Sequence, residues 1–114
     1  MDSNKAILEK ANAAFAKGDI EGFLAFCTED TKWTYVGDQT VEGKEAVRRY
    51  IAETYTEPSR FTVENMVAEG DFVTLIGDIV LKDEAGKDTL YSVCDVWRFR
   101  DGKMAELKAF VIKA

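Results

Sequence analysis

The stretch Tyr91-Ser92-Val93-Cys94-Asp95-Val96-Trp97-Arg98-Phe99-Arg100-Asp101-Gly102-Lys103-Met104 decides the fold, because it contains a strand and the turn that ends it. From Tyr91 to Phe99 it alternates, and in a strand residues two apart share a face. Tyr91, Val93, Asp95, Trp97 and Phe99 therefore point the same way. One carboxylate then stands among aromatic rings and a valine, where an unpaired charge is costly. Asp101-Gly102 is the pair that a type I′ hairpin demands, since both central positions need positive φ. Met104 to Lys113 then returns antiparallel to Thr89–Arg100.

Upstream of this hairpin the pattern stays strand-like. Phe61 to Val67 runs to a Gly70-Asp71 turn, Phe72 to Lys82 follows, and Asp83-Glu84-Ala85-Gly86-Lys87 forms a loop. Earlier still the period becomes helical. Ile7, Leu8, Ala11, Ala14 and Phe15 lie on one stripe, with Asp2 or Ser3 as N-cap and Gly18 as the stop. Asp19 caps a short second helix whose stripe is Ile20, Phe23, Leu24 and Cys27. Thr31 to Val36 alternates as a strand and a turn follows at Gly37-Asp38-Gln39. A third helix runs from Gly43 to Tyr55 with Val47, Tyr50, Ile51 and Tyr55 on one face, and Pro58 marks its end.

Helices first and long strands after them predict an α+β fold, with helices on one face of an antiparallel sheet. Strands of about ten residues exceed the usual length, so the sheet is expected to curve strongly. At 114 residues the chain makes one domain, 1–114, with a sizeable core.

Composition excludes several classes. The net charge of −6 offers no basic stripe for nucleic acid or an anionic membrane, so neither is an expected partner. No apolar run approaches the roughly 20 residues of a membrane span, and Met1-Asp2-Ser3-Asn4-Lys5 lacks the shape of a signal peptide. With Cys27 and Cys94 read as buried free thiols, a cytoplasmic location is expected. The absence of histidine removes His-based metal sites and Ser-His or Cys-His nucleophiles. Neither metal nor cofactor is expected. Gly37 to Glu45 imitates a phosphate loop, but its glycine spacing is wrong and Glu45 stands where a magnesium-holding hydroxyl belongs.

Three motifs in order resemble the nuclear transport factor 2-like superfamily in its SnoaL-like, ketosteroid isomerase-like branch. They are Phe15 to Leu24 followed by Glu29-Asp30-Thr31-Lys32-Trp33, then Glu42-Gly43-Lys44-Glu45-Ala46-Val47, then Val96 to Met104. The resemblance implies a cystatin-like roll: a cone-shaped antiparallel sheet wrapped around N-terminal helices and enclosing an apolar pocket. It also implies a homodimer through the outer sheet face, which fits the small, apolar side chains of Ser92, Cys94 and Val96. Asp95 matches the protonated aspartate of the isomerase oxyanion hole, an acid kept neutral by apolar surroundings. The isomerase general base is matched by Tyr35 and its catalytic tyrosine by Ala11, so steroid isomerisation is not expected. Cyclases and epoxide hydrolases place an acid in the last strand, where this chain has Ala109 and Val111, and no arginine shares Asp95's face for a hydrolase relay.

The expected function is binding of an apolar or aromatic small molecule. Trp33, Tyr35, Tyr50, Asn65, Tyr91, Val93, Asp95, Trp97, Ala109 and Val111 would form the site. Desolvation should raise the pKa of Asp95. One alternative is an isomerase, cyclase or dehydratase using Asp95 as acid–base and Tyr35 as phenolic donor. Another is a dimeric interaction module whose pocket is filled by its own side chains.

Overall fold

The computed structural model describes residues 3–57 and 60–114. Helix α1 (Asn4–Ala16) starts on Ser3, whose Oγ accepts the Ala6 amide at 3.1 Å. Helix α2 (Ile20–Leu24) starts on Asp19, whose Oδ1 accepts the Gly22 amide at 2.9 Å. Helix α3 (Lys44–Thr54) ends at Tyr55; Asp2 and Pro58, expected as a cap and as a helix stop, lie outside the described residues.

The strands are β1 (Cys27–Tyr35), β2 (Gln39–Glu42), β3 (Phe61–Glu69), β4 (Phe72–Lys82), β5 (Asp88–Arg100) and β6 (Lys103–Lys113). They form one curved, unclosed sheet in the order β2-β1-β6-β5-β4-β3. Asp101 and Gly102 have φ of 51° and 75°, as the type I′ reading requires.

Three details correct the sequence reading. Cys27 is not in the second helix. It opens β1, where it pairs with Met104, and the Phe26 carbonyl accepts the Met104 amide at 2.8 Å. Strand β2 is new, because four residues are too few to show a period. The sheet is also mixed, since β6 lies between β5 and β1 and pairs with β1 in parallel. Chain order alone puts the last strand at an edge; burial of its inner face puts it at the centre.

The inner face is laid out in rows set by register. Val73, Trp97, Leu107 and Trp33 form the deepest row, and Leu75, Asp95, Ala109 and Tyr35 form the next. Gly77, Val93 and Val111 continue it, followed by Ile79 and Tyr91. Leu8, Ala11, Phe23, Leu24, Val47 and Ile51 from the helices join the deepest row in one core. Each fully buried aliphatic chain of this kind contributes about 1.5–3 kcal/mol. The helices cover one end of the concave face and leave the other end hollow. Gly77 permits a tight crossing: a Cβ there would stand 2.1 Å from the Thr62 carbonyl oxygen, beside the bulge between Val63 and Asn65. No helix among the described residues is long and apolar enough to cross a membrane.

Candidate functional site

The hollow end of the concave face is a cavity of about 690 Å³, partly open to solvent. Its floor is the buried set Phe23, Trp33, Trp97 and Leu107. Rings there meet edge to face: Trp33 and Trp97 at 5.8 Å and 85°, and Phe23 and Trp33 at 5.9 Å and 81°. Glu9 from α1 and Asp38 from the β1–β2 turn are exposed residues on its lining.

Asp95 lines this cavity one row above the floor, between Leu75 and Ala109. Its carboxyl has no hydrogen bond or ion pair among the described residues. It keeps some accessible surface, yet protein encloses it, so that surface opens on the hollow. Burial alone pushes its pKa up from the usual carboxylate value to about 7. At neutral pH the group is therefore divided between a neutral donor and a charged acceptor. Among the described residues no cluster of His, Cys, Asp and Glu could hold a metal ion.

The Tyr35 hydroxyl does not bond to Asp95. It faces the hydroxyl of Tyr55 at 3.5 Å, and its ring lies 5.2 Å from that of Tyr50. Burial raises the pKa of Tyr35, and raises that of Tyr55 to about 12 against the opposing pull of its hydrogen bond with Tyr35. Both phenols thus stay protonated at neutral pH. The buried indole Nε1 of Trp33 has no hydrogen-bond partner among the described residues.

Of the residues expected to form the site, Trp33, Tyr35, Tyr50, Tyr91, Val93, Asp95, Trp97, Ala109 and Val111 line the cavity. Asn65 does not. The β3 bulge sets it opposite Ile76, exposed on the outer face, which removes it as a ligand contact. Ala11 is fully buried in the core. Sequence reading missed Tyr55 as a site residue, although its place on the apolar stripe of α3 was the available signal. It also missed Asn12, Met66 and Phe61, which come from the neighbouring α1 and β3. Cys27 is buried and free, its thiol pushed up to about 12 by burial. Cys94, expected to be buried, is a free thiol on the outer face, half-buried between Ile76 and Phe110.

Comparison with known proteins agrees with this architecture. An NTF2-like protein of unknown function from Cytophaga hutchinsonii superposes with a TM-score of 0.80 at 21% identity, over 96% of this chain and 100% of that one. A second, from Burkholderia pseudomallei, gives 0.82 at 21% identity over 96% and 90% of the two chains. TerC, co-crystallised with polyporic acid, gives 0.81 at 22% identity over 95% and 90%. No protein of curated function matches the chain. The family described as the SnoaL-like domain matches residues 8–107. With that match across most of its length, and with the NTF2-like roll around its cavity, the chain belongs to the SnoaL-like domain family.

Proposed function

We propose that this SnoaL-like protein binds an apolar or aromatic small molecule in the cone, with Asp95 orienting it. The observation that carries this reading is a cavity of about 690 Å³ with an enclosed acid in its wall that has no partner among the described residues. A cavity of that size suits a compact multi-ring molecule. An acid without a partner among the described residues has its hydrogen-bonding capacity free for a guest. TerC, a protein of similar fold, has been co-crystallised with polyporic acid, which is a precedent for a bound small molecule. A hollow of this volume counts against the module filled by its own side chains.

Thermal-shift screening against steroids, aromatic polyketides and terpenoids tests the reading, since a ligand that prefers the folded state raises Tm. A rise in Tm that is lost when Trp97→Ala or Ala109→Trp alters the cavity is expected. No rise across such a panel counts against it.

Catalysis is the second reading, favoured by the same acid: a group with a pKa of about 7 can both give and take a proton at neutral pH. Tyr35 and Tyr55 would then act as phenolic donors to an isomerising, cyclising or dehydrating substrate. Asp95→Asn separates the two readings, since turnover would vanish while affinity held. A second copy packing on the outer face completes the proposal. Ile76, Phe110 and Ile112 support it, being 43%, 37% and 66% exposed on that face. Sedimentation of wild type against Ile112→Lys tests it, the variant being expected as a monomer.

A further inference from the structure

Among the described residues the ionisable side chains that line the cavity are all acidic or phenolic. Asp95 stands in its wall, and Glu9 and Asp38 are exposed on its lining. The remaining titratable liners are the phenols Tyr35, Tyr50, Tyr55 and Tyr91, and among the described residues no lysine or arginine lines it. Tyr35 comes from β1, Tyr50 from α3, Tyr55 from the C-cap of α3, Glu9 from α1 and Tyr91 from β5 itself. Strand β6 carries Lys113 opposite Tyr91, outside the lining and four residues along β5 from Asp95, so no lining residue brings a cation to the Asp95 carboxyl. Aromatic rings make up the floor and one wall, and ring faces attract cations.

An anionic guest would meet carboxylates with nothing to neutralise it. A neutral guest would leave the charged form of Asp95 uncompensated. A protonated nitrogen supplies what the wall lacks. We propose that the cavity takes hydrophobic amines, an aromatic or polycyclic body filling the floor and one ammonium group ion-paired with Asp95. This rests on the binding function proposed above and names its ligand class. Since the chain has no histidine, proton exchange by a side chain near neutral pH belongs to Asp95. An ammonium guest drives Asp95 to ionise and releases a proton, whereas a neutral guest favours the protonated acid and takes one up.

Isothermal titration of the full chain near neutral pH, in phosphate and in Tris, compares three probes of one shape: naphthylmethylamine, naphthylmethanol and naphthoate. The amine should bind about tenfold or more tighter than the alcohol, with naphthoate weakest. Amine binding should release about half a proton, and the alcohol should show uptake. In Asp95→Asn, folded by circular dichroism, the amine's advantage over the alcohol should disappear. An alcohol that equals or beats the amine, or proton uptake with the amine, overturns the inference and leaves small-molecule binding standing. Failure of all three probes to bind removes the inference and counts against the binding function beneath it.

Discussion

Two charged side chains on β5 have opposite surroundings. Arg98 points outward, about half exposed, and pairs with Glu106 across the strand at 2.5 Å. Asp95, three residues earlier, points inward, beside Ala109 and Leu75, with no such partner. The strand period alone assigns them to opposite faces. On the outer face a charged side chain meets water and a counter-charge. On the inner face desolvation pushes the acid up to about 7. One strand thus carries an ordinary surface ion pair and an unusual acid, and the difference is set by facing.

The largest expected effect on this contrast comes from the inner floor. Trp97→Ala removes a ring that packs on Trp33 and Phe23, and should cost about 3–5 kcal/mol in urea unfolding. A loss near 1 kcal/mol would mean that the floor tolerates collapse. Next is Asp95→Asn, whose effect depends on pH. The folded acid binds its proton more tightly than the unfolded one, so its contribution is full below the model-compound range. It is lost as pH rises toward 7. Between about pH 4 and 7 wild-type stability should fall by up to about 1.4 kcal/mol per pH unit relative to Asp95→Asn. By pH 8 the variant should be the more stable by something on the order of 2–4 kcal/mol. Parallel pH curves for the two proteins would contradict a desolvated Asp95.

Tyr55→Phe should have a smaller effect, because it removes only a long hydroxyl contact to Tyr35. A loss of about 0.5–1.5 kcal/mol in thermal unfolding is expected. Smallest of all is Glu106→Gln on the outer face, where an exposed pair contributes about 0–1 kcal/mol. A cost for Glu106→Gln that matched the effect of Asp95→Asn would erase the distinction between the faces.

Much of this was legible in the sequence, for physical reasons. The alternation from Tyr91 to Phe99 fixed Asp95 inside, and Asp101-Gly102 fixed the hairpin, because side-chain facing and turn geometry are local properties. Strand β2 and the start of β1 at Cys27 were not legible. Four residues carry no period, and Cys27 sits on the α2 stripe as readily as at a strand start. The parallel β1–β6 pairing is a non-local arrangement that no short segment encodes. The site followed the same division. Tyr91, Val93, Asp95 and Trp97 on β5 and Ala109 and Val111 on β6 were found from their alternation, while Leu107 on the same β6 face was not. Asn65 was misplaced by one bulge in β3, and Tyr55 was taken only for a helix-face residue.

The account turns on the state of one carboxyl. Carbon-detected NMR titration of the Asp95 side chain measures it directly, and the absence of histidine keeps the neutral range clear of other side chains. A midpoint near 7 is the predicted result; a midpoint near 4, the value of an aspartate in water, would contradict it.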